Sequence, residues 1–325
     1  MTSTLTTIIP VGTANLPTIS NLTERAQQFA QNSTAENTRT AYQSDWRAWQ
    51  AFCARHGHNA MPATAQGAFE YAADMAERGL RVATIERRIS SLRMAHRTAG
   101  HPDPTLDERV RRTMAGIRRE LGTAPNQKAP ALASDIREMA GAVDDSITGL
   151  RDRALILIGF AGAFRRSEVG RLDASEVQFV REGVVIRLWR SKADQEGERK
   201  PVAIPFGGSP ETCPVRALRQ WMDAADIEDG PVFRRIWKSG RLGDKALSGQ
   251  AVADIVKRLA ERVGLDPQNY AGHSLRSGFA TQAAKSKVGE RKLMDHGRWS
   301  SVQMARRYIR EAELFEENAA GALGL

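Results

Sequence analysis

Apolar residues recur every three or four positions through the first third of the chain, the period of a half-buried helix. From Thr38 to Arg55 they fall at Tyr42, Trp46, Trp49 and Cys53, and Gly57 follows where a helix end takes a left-handed residue. Thr64 can cap a second helix running to Arg78, with Phe69, Ala72, Ala73 and Ala76 turned inward. A third, Arg81 to Ala99, lines up Ile85, Ile89 and Leu92, and a fourth, Thr105 to Leu121, lines up Val110, Met114, Ile117 and Leu121. All of 22–122 therefore reads as helical. The period breaks at GTAPNQKAP, Gly122 to Pro130, whose glycine, prolines and polar residues mark a linker over 123–130.

Beyond it the pattern is mixed. Ser134 is expected to cap a helix through Ala142, and the apolar run Leu150 to Phe164 reads as a core helix that ends on Arg165 and Arg166, followed by Glu168. Val177–Val180, Val184–Trp189 and Pro201–Phe206 are rich in β-branched residues between turn breaks and predict a small antiparallel sheet. The long polar turn Ser191 to Lys200 carries Lys192. Helices resume at Pro214–Ala224, at Gly249–Val263 behind the cap Ser248, and as a pair at Ser274–Lys285 and Val288–Leu293. The expected fold is two-domain and mainly α: an all-helical N-terminal domain, then a mixed α/β domain over 131–325 with a short tail helix. Residues 1–21 lack both a basic leader and a long apolar run, and read as a loose arm.

Composition narrows the partner. A formal charge of +9 on 325 residues favours a polyanion, nucleic acid before membrane. Between Arg81 and Arg119 ten arginines stand against four acids, an excess that reads as unpaired on two successive helices and as a DNA-backbone surface, with a merely solvated face as the alternative. Cys53 and Cys213 are far apart and read as packed, reduced thiols of a cytoplasmic protein, not as a zinc site or disulfide. No glycine-rich phosphate loop, HExxH or EF-hand spacing is present, and no apolar run reaches membrane-spanning length.

The candidate chemistry lies in one order: Arg165 at a helix end, Lys192 in a β-turn, His273 and Arg276 one helical turn apart, then Trp299 and Tyr308. An arginine gives a phosphate paired planar hydrogen bonds, and a phenol can supply a nucleophilic oxygen. The segments FRRSEVGRL, RSKAD, HSLRSG and GRWSSVQMARRYIR together resemble the tyrosine recombinase (phage integrase) family, and within it the Cre-like subgroup. ERGLRVATIERRISSLRMAHRTAG looks like that subgroup's core-binding, SAM-like domain, so the resemblance covers essentially the whole chain.

The resemblance implies roles. Tyr308 would attack a phosphodiester to give a 3′-phosphotyrosyl link, while Arg165 and Arg276 clamp the non-bridging oxygens. Lys192 would protonate the leaving 5′-oxygen, and His273 would act as acid–base group or phosphate donor. Trp299 stands where many members have histidine; an indole cannot titrate, so it would bind phosphate and pack the site. The Arg-x-x-Glu spacing selects Arg165 over Arg166, the strand end selects Lys192 over Lys200, and the spacing to the tyrosine selects Trp299 over His296. Thr38, Arg39, Thr40, Arg87, Arg88 and Gln250 sit on helix starts or faces that meet DNA in the subgroup. The resemblance implies no metal and no other cofactor. The implied partners are double-stranded DNA with inverted-repeat sites and further copies of the chain, four per recombining complex with exchanged tails. The alternatives are a topoisomerase or resolvase using the same chemistry, or an accessory DNA-binding protein that does not cleave.

Overall fold

The computed structural model describes residues 22, 24, 25, 29, 36–124, 128–188, 200–312 and 323. It divides into two compact units, Met1–Pro125 and Asn126–Leu325. The predicted arm over 1–21, the turn lysine Lys192, Trp189 and most of the tail after residue 312 lie outside the described residues.

The first unit packs four helices: α1 (Glu36–His56), α2 (Ala65–Glu77), α3 (Val82–Thr98) and α4 (Glu108–Leu121). Thr64 caps α2 by accepting the Gly67 amide at 3.1 Å. The core joins Trp49, Phe52 and Cys53 of α1 to Tyr71 and Met75 of α2, Ile85, Ile89 and Leu92 of α3, and Val110, Met114 and Ile117 of α4. Two expectations about facing need correction, the first only in part, since Ala72 is buried and Phe69 and Ala76 pack half-buried against the core. The face of α2 that turns inward is Ala68, Tyr71, Ala72 and Met75, because the large Tyr71 and Met75 carry the contact and leave Phe69 half-buried. Leu121, at the last turn of α4, is exposed.

The arginine excess is also not unpaired. Arg87 and Arg88 converge on the buried Asp45 of α1, Arg93 and Arg97 on Asp103, Arg111 and Arg112 on Glu108, while Arg109 meets Asp107 and Arg118 meets Glu86. Burial holds the Asp45 carboxyl above its usual range even with two guanidiniums beside it. Asp45, Asp103 and Glu108 are each shared by two arginines, so the face keeps a net positive charge while these side chains have partners on other turns and helices.

The second unit is built around α6 (Ile147–Ala161), buried along nearly its whole length and packed against α5 (Ala133–Gly141), α8 (Pro214–Ala224) and α10 (His273–Lys285). Between α6 and α8 come the short α7 (Arg166–Gly170) and the antiparallel strands β1 (Val177–Val180), β2 (Gly183–Ile186) and β3 (Val202–Pro205). β1 pairs Val177 with Ile186, and β2 pairs Ile186 with Val202. A second hairpin, β4 (Arg234–Ile236) with β5 (Leu242–Ala246), escapes prediction because arginine, lysine and aspartate interrupt its apolar alternation. α9 (Gly249–Arg262), capped by Ser248 as expected, precedes α10; α11 (Glu290–Gly297) and α12 (Val302–Ala312) complete the described fold. Ser134 does not cap α5. It lies inside the helix, and the Asp135 carboxylate accepts the Leu132 amide at 3.0 Å instead.

One close approach fixes how this unit starts. The Ala131 amide donates to the Ser274 carbonyl at 3.0 Å, which lays the chain against α10 so closely that a Cβ on Gly278 would stand 1.8 Å from the Ala131 carbonyl oxygen. Gly278→Ala is therefore expected to lower unfolding free energy by about 2–3 kcal/mol in urea denaturation. A change within experimental error would show that this contact gives way freely.

Candidate active site

The site begins where α6 stops. Gly162 ends the helix, Ala163 turns through a left-handed φ of 48°, and Phe164 drops back into the core. The turn leaves Arg165 as the residue that starts α7. Its backbone N–H donates to Glu168 Oε2 at 2.8 Å and its Nη1 to Oε1 at 2.6 Å, so Glu168 ties down both ends of the same arginine. Burial alone would raise the Glu168 pKa, but Arg298 and Arg165 overcome it and hold the carboxyl below its usual range. Arg166, by contrast, is exposed and lies across Gly272 and Gly249.

α10 supplies the next pair. His273 is its first residue and keeps an exposed edge, while Arg276, one turn on, is almost wholly buried. Arg276 Nη1 donates to the Ala163 carbonyl, and its guanidinium lies 4.3 Å from the centre of the Trp299 ring. Burial, then the positive Arg165, pushes the Arg276 pKa down to about 9, and Glu168 and Tyr308 act in the opposite direction. Two buried donors, Arg276 Nη2 and Trp299 Nε1, have no hydrogen-bond partner among the described residues. Such donors carry a desolvation penalty unless an acceptor arrives, and an anionic oxygen is the acceptor that suits them.

Tyr308, on α12, joins the same group. Its ring centre is 5.9 Å from that of Trp299, both rings are buried, and the small cluster around them consists of Ala163, Ala280, Ala283, Leu293 and Ala305. The fold thus gathers Arg165, His273, Arg276, Trp299 and Tyr308 of one chain into one place. Gly297 makes the arrangement possible, since a Cβ there would lie 1.7 Å from the Trp299 ring.

His296 does not compete for Trp299's place. Its Nε2 meets the Ala161 carbonyl at 2.7 Å and its ring stacks on Phe279 at 4.7 Å, a packing arrangement. The expected DNA-contact residues are spread over both units. Thr38, Arg39 and Thr40 are exposed on α1, Arg87 and Arg88 serve Asp45, and the Gln250 amide donates to Asp254 at 2.8 Å.

Sequence reasoning missed Arg298. It takes a left-handed φ of 54°, which costs about 1 kcal/mol or more for a residue with a Cβ, yet its side chain is buried. Nη2 donates to Glu168 Oε2 at 3.0 Å, and Nη1 reaches the Gly162 carbonyl at 3.4 Å. No periodicity or motif marks such a residue.

His273 has a working consequence. Desolvation on its inner side, then Arg276, Arg165 and Arg166, depress its pKa below the ordinary 6.5. The imidazole is therefore neutral at physiological pH. A reaction that depends on the neutral imidazole should stay level from about pH 8 down to about pH 6.5 and decline only below that. A rate–pH profile whose acid midpoint lies above 6.5 would contradict this geometry.

Comparison with known proteins gives these positions a context. The model of the phage integrase family matches residues 132–314, and that of the phage integrase N-terminal SAM-like domain matches 27–101. The chain belongs to the phage integrase family, the tyrosine recombinases. It is 39% identical over 302 residues to an integrase/recombinase XerD homolog of Selenomonas ruminantium, covering 92% of this chain and 88% of the relative. It is 25% identical over 298 residues to the recombinase Cre of Escherichia phage P1, covering 86% and 85%. Among solved structures, the Tn1549 transposon integrase in complex with transposon right end DNA superimposes with a TM-score of 0.62 at 15% identity, covering 90% of this chain and 97% of that one. A lambda integrase dimer bound to a COC′ core site gives 0.57 at 17% identity, covering 89% and 93%. These last two show the shared fold. Among the described residues no helix is long and apolar enough to cross a membrane.

Proposed function

We propose that this chain is a site-specific DNA recombinase in which Tyr308 cleaves and rejoins DNA. The observation that carries the reading is the convergence, in one chain, of a buried tyrosine with Trp299 and Arg276, whose unpartnered donors suit phosphate oxygens. Relatives named as recombinases, and integrase structures that hold DNA, support the substrate class.

In the proposed step Tyr308 Oη attacks phosphorus. A new tyrosyl–phosphate ester forms on the 3′ side, the bond from phosphorus to the 5′-oxygen breaks, and that oxygen leaves as a hydroxyl. Neutral His273 receives or relays the phenolic proton, and Lys192 delivers one to the leaving oxygen. Arg165 and Arg276 stabilise charge gathering on the non-bridging oxygens. The ester conserves the bond energy, so a second 5′-hydroxyl can reverse the step without ATP.

The domain assignment follows as part of the same proposal: a helical DNA-binding unit over 22–122, a linker, and a catalytic unit over 131–325. Four copies would hold two inverted-repeat sites, exchange strands through a Holliday junction and couple their active sites by exchanging tails. Incubating the protein with sheared DNA that includes the sequence flanking its gene, then denaturing, tests the chemistry. Protein attached to a 3′ end beside a free 5′-hydroxyl is the expected product. DNA that binds but never becomes attached would favour the accessory reading.

A further inference from the structure

We infer that Arg298 is a positioning residue for DNA cleavage, acting through Glu168 and the Ala163 carbonyl to set the two phosphate-facing arginines. The inference rests on the assignment of Tyr308, Arg165 and Arg276 to cleavage. Arg298 lies over Phe164, 4.9 Å from that ring's centre.

Its guanidinium reaches both anchors of the site. Arg298 Nη2 donates to Glu168 Oε2, the same oxygen that accepts the Arg165 backbone N–H, while Glu168 Oε1 holds Arg165 Nη1. Nη2 also lies 3.5 Å from the Ala163 carbonyl oxygen, the acceptor of Arg276 Nη1. One side chain therefore fixes the carboxylate that aims Arg165 and helps fix the carbonyl that aims Arg276. Its backbone does a third thing: the left-handed turn at Arg298 leads directly into Trp299, on whose face Arg276 rests. A lone side chain holding a non-glycine residue in that conformation needs a strong attachment, and the buried ion pair with Glu168 is one.

The conformation makes the test clean. Arg298→Gly removes the side chain and relaxes the backbone, so a fold that merely tolerates arginine keeps or gains stability. Arg298→Lys keeps the charge with one donor group in place of the fork. In the free protein, NMR of 13C,15N-labelled arginine reports rotation of the Arg276 guanidinium. It should be hindered in the wild type and freed in Arg298→Gly, with Arg298→Lys between.

On a duplex recovered by covalent capture on the wild-type chain, single-turnover cleavage by Arg298→Gly should fall at least 10-fold while DNA affinity stays within about 2-fold. In the same variant the Glu168 carboxyl, followed by 13C NMR, should titrate at higher pH than in the wild type, since it loses one of the cations that face it. Arg165 from the start of α7 and His273 and Arg276 from α10 remain around it. An unchanged Arg276 signal overturns the inference whether or not DNA is cleaved, as does wild-type cleavage by Arg298→Gly. A freed Arg276 in a protein that captures no DNA supports the positioning and sinks only the proposed function.

Discussion

Tyr308→Phe is expected to abolish covalent attachment to DNA, a loss on the order of 10⁴-fold or more, because the change removes the phenolic oxygen that would form the ester with phosphorus. The phenyl ring keeps the packing on Trp299, so thermal unfolding should shift by no more than about 4 °C. Affinity for DNA should stay close to wild type, since the change removes a single hydroxyl. The measurements are denaturing electrophoresis for the adduct, calorimetry for the fold and a binding titration at fixed salt. Attachment that survives the change would remove Tyr308 from the mechanism. A collapse in stability would mean that the hydroxyl serves the fold first.

Arg276→Met should separate stability from catalysis in the opposite way. A base whose pKa falls on folding holds its proton less tightly in the folded state, and burial lowers Arg276 to about 9, well below the ordinary arginine range. At pH 7 it remains charged, so the folded protein bears the whole of that penalty, on the order of a few kcal/mol. The penalty would fade only as pH rises through the window between the two values, where the unfolded chain binds the extra proton. An uncharged, apolar methionine in its place is therefore expected to leave the melting temperature unchanged or to raise it. Cleavage should nevertheless fall by about 10²- to 10³-fold, the usual consequence of losing one donor to developing phosphate charge. A parallel fall in melting temperature and rate would recast Arg276 as a strut.

Much of this was legible in the residues because short-range patterns survive folding intact. Arg165 and Glu168, or His273 and Arg276, are one turn apart in sequence and remain neighbours, and the helical period placed α1 through α4 to within a few residues. What depended on contacts between distant turns was not legible. Asp45 accepts Arg87 from 42 positions away, so the arginine face looked unpaired. Arg298 joins Glu168 from 130 positions away, and only its backbone turn brings it inside. α2 rotated away from expectation because side-chain volume, not hydrophobicity alone, decides which face packs. The hairpin β4–β5 is held by its pairing and has no apolar alternation to announce it.

The aromatic pair at the site has one further consequence. Trp299 and Tyr308 rest on a small cluster of four alanines and Leu293, edged by Phe279, Met294 and Ile309, apart from the large core around α6. Alanines bury little area, so the region carrying α11 and α12 has a shallow free-energy well of its own. The two helices are then expected to open together before the main core does, which would show as faster amide hydrogen exchange over 290–312 than in α6, and exposure of the Tyr308 hydroxyl would be a local equilibrium with its own dial. Mutations in the large core would then set how long the protein lasts, and mutations among these alanines would set how often it is armed.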